Sequence, residues 1–152
     1  TTNAYQTEEA AKALGSLARG HAASEKVAAV CGMAPYISPS AAGEFLRAVM
    51  EKNPKREIQA RACQSLYVYS LMAEPSQADK YLNLLGKNFA KLKSDRSQGT
   101  IGEFVKSEQE HNQTFGIGKL APNTEGEDID GKKFKLSDYR GKIVVIDFWG
   151  DW

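Results

Sequence analysis

The chain has 152 residues, enough for one ordinary domain or for a modest domain and part of a second, and its 41% hydrophobic and 26% charged residues are the balance of a globular chain. The 20 Lys and Arg against 19 Asp and Glu leave a formal net charge of +1, which argues against a nucleic-acid partner bound through a basic surface, and no apolar run approaches the ~18 residues of a membrane-spanning helix. Cys31 and Cys63 are the only cysteines and neither sits in a CxxC pair, so a disulfide-stapled miniprotein and a cysteine-ligated zinc site are both excluded.

The first three quarters of the chain read as helices. Thr7 before Glu8 and Glu9 is a cap with acids in the first turn, where the helix dipole favours them, and the Ala/Leu-rich stretch behind it ends near Arg19-Gly20. A second helix is predicted from Ser24 through Val27, Val30 and Cys31, with Pro35 as its stop. Ser38-Pro39 is a cap followed by proline at the first helical position, and Phe45, Leu46, Val49 and Met50 then make one buried stripe. Asn53-Pro54 repeats that start signal for residues 58–71. Pro75 opens a further helix carrying Tyr81, Leu82, Leu85 and Phe89, and Thr100-x-x-Glu103 is a capping box ahead of Phe104 and Val105. Six helices with short connections predict a bundle, and no strict repeat period favours a solenoid.

The pattern changes at Phe115-Gly116-Ile117-Gly118. Asp130-Gly131 is a hairpin signal, and beyond it Phe134 and Leu136 alternate with lysines, as in a strand with one buried face. Residues 143–146, Ile-Val-Val-Ile, run apolar without alternation and predict a strand buried on both faces. The fold class expected is therefore α+β. Residues 1–116 form an all-α accessory bundle and residues 117–152 the first β portion of another domain. The chain opens on Thr1 without Met and stops at Trp152 directly after the apolar run, so it reads as a fragment whose end falls inside a domain.

Four pieces of the C-terminal region resemble, in order and in spacing, the opening of a thioredoxin-like redoxin domain of the bacterial TlpA/ResA type. They are Gly118-Lys119-Leu120-Ala121-Pro122, Asp130-Gly131-Lys132, residues 136–142 (LSDYRGK) and residues 147–152 (DFWGDW). The resemblance covers about a quarter of the chain, and Thr124 departs from it by standing where the family usually has a large apolar residue. In that family F-W-x-x-W is followed at once by C-x-x-C, so the resemblance places the nucleophilic cysteine directly after Trp152. A strand ending there would deliver the thiol to a helix N-terminus, where unpaired N–H groups stabilise a thiolate.

Asp147 interrupts the apolar run, so it is expected to point into the interior, where a lone carboxylate is costly. By the resemblance it matches the buried aspartate of thioredoxin, a proton shuttle for the second cysteine. Trp149 and Trp152 match aromatic walls that limit solvent and contact the substrate protein, with Trp152 adjacent to the nucleophile. Cys31 and Cys63 lie among Ala, Val and Leu, the setting of small buried hydrophobes. His21 and His111 have no ligand-spaced partner, so no metal is expected. Lys52, Lys55, Arg56 and Arg61 read as a solvated helix face.

The resemblance implies a thiol–disulfide oxidoreductase that needs no cofactor. Its partners are cysteine-containing substrate proteins and a reductant or oxidant protein, and neither nucleic acid nor a transmembrane segment is expected. Family members usually act outside the cytoplasm, so an extracytoplasmic or periplasmic location is expected and a cytoplasmic one stays open. A peroxiredoxin-type peroxidase shares the A-P and LSDYxGK features but generally places its cysteine after a proline-containing turn, which residues 148–152 lack. A helical interaction module with a degenerate redoxin part is the rival of another class. Asn53-Pro54 and the alanines after it also resemble helical segments found ahead of redoxin domains, and docking and dimerisation are both open roles for the bundle.

Overall fold

The computed structural model describes residues 8–116 and 118–147. Among these residues there are seven α-helices and one two-stranded antiparallel sheet, so the α+β class holds. They form two compact units that divide after Gln109, inside the last helix.

The helical unit begins with α1 (Glu8–Gly20), which carries Glu8 and Glu9 in its first turn and Arg19 in its last. The second expected helix is broken in two. Ser24 caps a single 3₁₀ turn, its hydroxyl accepting from the Lys26 amide at 3.3 Å, and α2 (Ala28–Cys31) follows. Pro35 does not end this helix. It sits in the first turn of a separate α3 (Ala34–Ile37), where a helix does not use the missing N–H. Seven helices thus replace six, two of them with only four residues.

α4 (Pro39–Lys52) starts at proline as expected and buries Phe45, Leu46 and Val49 completely. Asn53 then acts differently from a cap. Its amide nitrogen donates to the Ala22 and Ser24 carbonyls at 2.8 and 3.1 Å, and its oxygen accepts from the Lys55 amide. This buried side chain ties the α4–α5 turn to the segment that follows α1, and helix formation is delayed to Arg56. α5 (Arg56–Ala73) packs against α2, α3, α4 and α6 (Ala78–Phe89). A helix touched from several sides buries residues all round, and the buried set of α5 includes Ala60, Ala62, Cys63, Leu66, Tyr67 and the polar Gln64, Ser65 and Ser70. α7 (Ile101–Phe115) begins with the expected capping box. The Thr100 amide donates to Glu103 at 2.7 Å, and the Glu103 amide donates to the Thr100 hydroxyl at 3.3 Å.

Two predictions arise from this packing. A Cβ on Gly43 of α4 would stand 2.9 Å from the Tyr69 ring of α5. Gly43→Ala is expected to lose about 1–3 kcal/mol to overpacking, more than the ~1 kcal/mol that helix propensity returns. Gly20→Ala, where a Cβ meets nothing within 4 Å, is the control and is expected to lose nothing in urea unfolding. The Thr100 amide and hydroxyl hold the Glu103 carboxyl below its ordinary pKa. A lowered folded pKa means that this stabilisation is complete above the unfolded value, near 4.3, and disappears as pH falls through the folded one. The Tm difference between the wild-type chain and Glu103→Gln is expected to be largest near neutrality and to shrink as pH drops below about 4.

The second unit holds β1 (Glu125–Glu127) and β2 (Lys133–Lys135), paired with Gly126 opposite Phe134. Asp128 organises the connecting turn. Its carboxylate accepts from the amides of Asp130 and Lys132 at 3.0 and 2.9 Å, and Gly131 takes the positive φ of 77° that the turn requires. Phe134 does not enter a core, being 37% exposed. Its ring instead covers Gly126 and meets Tyr139 edge-on at 6.4 Å. The expected third strand is absent. Residues 143–147 have no ladder partner among the described residues and lie exposed, with Ile143 at 99% and Val145 at 88%. A strand needs neighbours for its N–H and C=O groups, and the short β1–β2 hairpin does not engage this segment.

Candidate functional site

The redoxin-like motifs assemble into one local framework. A 3₁₀ turn at Leu136–Tyr139 follows β2, and Asp138 accepts from the Lys135 amide at 2.9 Å to start it. The Leu136 amide donates to the Thr124 carbonyl and the Ser137 amide to the Asn123 side chain at 2.8 Å. These bonds join the Leu120-Ala121-Pro122 piece to the LSDY piece. Between them lies an apolar groove of about 560 Å³, to which Leu120, Pro122, Leu136, Tyr139, Val144 and Ile146 contribute. The sequence points to the motifs, but not to the groove that they enclose.

Asp147 is exposed in this chain, not enclosed by an apolar interior. It follows Ile146 in the unpaired segment, so the burial expected for it is not realised among the described residues. Trp149 and Trp152 lie outside the described residues. The three residues singled out for redox chemistry are therefore not brought together here into a described site.

The two cysteines are free and fully buried. The Cys31 thiol donates to the Val27 carbonyl at 3.3 Å and the Cys63 thiol to the Tyr81 carbonyl at 3.7 Å. Burial pushes their pKa values up to about 11 and about 12. A nucleophilic thiol needs the opposite, a stabilised thiolate open to its partner. Arg61, expected on a solvated face, keeps its side chain partly exposed there and forks onto Asp95, with Nε and Nη2 at 2.6 and 2.9 Å from its carboxylate. No group of three or more His, Cys, Asp or Glu able to hold a metal occurs among the described residues.

Comparison with known proteins finds relatives of the family that the C-terminal motifs resemble. The chain is 45% identical over 51 residues to the thiol-disulfide oxidoreductase ResA of Bacillus thuringiensis subsp. konkukian, a stretch that covers 34% of this chain and 27% of that protein. It is 53% identical over 36 residues to ResA of Bacillus thuringiensis strain Al Hakam, covering 24% and 21%. To ResA of Bacillus subtilis it is 51% identical over 40 residues, covering 26% and 22%. The chain carries a ResA-type, thioredoxin-like segment. It spans about a quarter of the length of these relatives. No family model matches the chain, and no solved structure does. Among the described residues no helix is long and apolar enough to cross a membrane.

Proposed function

We propose that this chain is a fragment of a thiol–disulfide oxidoreductase in which a C-x-x-C pair directly follows Trp152. The observation that carries the reading is the ordered run of redoxin motifs, joined by the Leu136–Thr124 and Ser137–Asn123 hydrogen bonds and matched by the ResA-type similarity. In the parent protein the thiolate of the first cysteine attacks a disulfide sulfur of a substrate protein. A mixed disulfide forms and one substrate thiolate leaves. The second cysteine then attacks the mixed disulfide, releasing the reduced substrate and closing the enzyme's own disulfide, which a reductant protein reopens. Residues 143–147 become a paired central strand once partner strands are present. That strand buries Asp147 beside the second cysteine, where it takes and returns the thiol proton, while Trp149 and Trp152 wall the site against water. An extracytoplasmic location goes with this reading, and the helical unit serves as an accessory domain.

The test is the parent protein itself. Its four residues after Trp152 should read C-x-x-C, and it should reduce insulin in the presence of a thiol donor. Asp147→Asn should slow dithiol exchange near neutral pH while leaving the far-UV spectrum unchanged. Residues other than a cysteine pair after Trp152 would sink the proposal and leave an interaction module with a degenerate redoxin part.

A further inference from the structure

Within the helical unit, α2, α5 and the loop after α6 enclose an open cavity of about 370 Å³, within the range of small-molecule sites. Its polar side is unusually well fixed. Ser94 is buried, and its hydroxyl accepts from the Gln64 amide group at 2.9 Å and from the backbone amides of Arg96 and Ser97. The Gln64 carbonyl in turn accepts from the Asp95 amide at 3.2 Å. These bonds hold Asp95 against Arg61, whose third donor engages the Ala28 carbonyl at 3.2 Å. One N–H on each terminal nitrogen of Arg61 is left over.

Two further groups lack side-chain partners among the described residues. Ser65 lines the cavity and is only 2% exposed, yet its hydroxyl has no hydrogen-bond partner among the described residues. No fully shielded side-chain oxygen or nitrogen among those residues is unpaired, so the Ser65 oxygen keeps some accessible surface, and Ser65 is one of the residues that line this cavity. Arg96 also lines it; it is exposed, and its guanidinium makes no ion pair among the described residues. Arg61 and Asp95 neutralise each other, so the cavity carries the single positive charge of Arg96. Ala28, Ala29 and Gly32 supply the apolar part of the lining. A Cβ on Gly32 would meet nothing within 4 Å, so this apolar side has room beside it.

We propose that this cavity binds a small monocarboxylate. Its carboxylate accepts from Arg96, from the spare N–H groups of Arg61 and from the Ser65 hydroxyl, and its short apolar part lies on the Ala28–Gly32 wall. One positive charge matches a monoanion, whereas a phosphate dianion would leave a charge uncompensated in a partly enclosed site. The proposal is independent of the redox reading, since every residue it uses lies in the helical unit.

The test is a titration of the 152-residue protein with sodium butyrate at constant ionic strength, followed by amide ¹H–¹⁵N spectra. The amides of Gly32, Ser65 and Arg96 are expected to shift saturably, and sodium chloride should not move them. Arg96→Ala should weaken binding at least about tenfold, the loss expected for a charge-assisted bond. Ser65→Ala should weaken it several-fold, and Arg140→Ala, in the other unit, should change nothing. Unchanged dispersion of the α5 amides in each variant certifies the fold. Shifts that stay linear to about 50 mM, weaker than any specific site of this kind, would overturn the proposal. So would equal binding by Arg96→Ala, or saturation of the same amides by inorganic phosphate at lower concentration than by butyrate.

Discussion

Incubated with insulin and a thiol donor, the 152-residue chain is expected to reduce disulfides no faster than the donor alone. The reason lies in the two thiols that the chain contains. With pKa values pushed up to about 11 and about 12 by burial, Cys31 and Cys63 are thiolates in about one molecule in ten thousand and one in a hundred thousand at pH 7. Catalytic thiols of this chemistry are shifted the other way, into the range of about 3.5–7.5. Access compounds the deficit, because both sulfurs are 0% exposed and a protein disulfide cannot approach them without opening the helical core. A parent protein extended through a C-x-x-C should exceed the 152-residue chain by orders of magnitude in the same assay. Turnover by the chain that disappears in Cys31→Ser or Cys63→Ser would show that a buried thiol becomes reactive, and the assignment of chemistry to the segment after Trp152 would then fail.

The parts of this fold that were legible in the sequence are those decided by neighbours in the chain. Thr100 and Glu103 are three residues apart, and their reciprocal bonds form where the spacing says they should. Asp130-Gly131 closes a hairpin because Gly131 supplies the positive φ and Asp128 the acceptor. The misreadings share a different cause. Pro35 looks like a helix stop until the chain has turned enough for a new helix to begin at Ala34, and Asn53 looks like a cap until the Ala22 and Ser24 carbonyls arrive to claim it. Arg61 does face solvent, but nothing in its own helix announces its partner Asp95, 34 residues later. The apolar run at 143–146 and Asp147 behind it fail most plainly. Their environment depends on strands that must pair from elsewhere, and local composition cannot supply those. The same holds for the candidate cavity. Ser65 and Arg96 come to line one cavity only when α5 and the 94–97 loop are set side by side.

The largest difference in stability within the chain is expected between the helical core and the segment at 143–146. In amide hydrogen exchange, residues 62–67 of α5 should be protected by a factor of about 10³ or more, since opening them requires the core of the helical unit to come apart. That core joins Phe45, Leu46 and Val49 of α4 to Leu66 of α5 and Leu85 of α6, all with 0% exposure. Residues 143–146 have no ladder partner among the described residues, and their side chains contribute little burial, so their amides should exchange at close to the rate of an unstructured peptide. Four adjacent β-branched residues on an open strand also invite pairing between molecules, so the measurement belongs at low concentration, with the monomer verified by light scattering. In a parent that completes the sheet, the same four amides should gain protection comparable with that of α5, and Asp147 should become inaccessible together with them. Protection at 143–146 equal to that of residues 62–67 in the monomeric 152-residue chain would mean that the segment already folds cooperatively without further strands. Protection that stays absent in the longer protein would remove the buried strand on which the role of Asp147 depends.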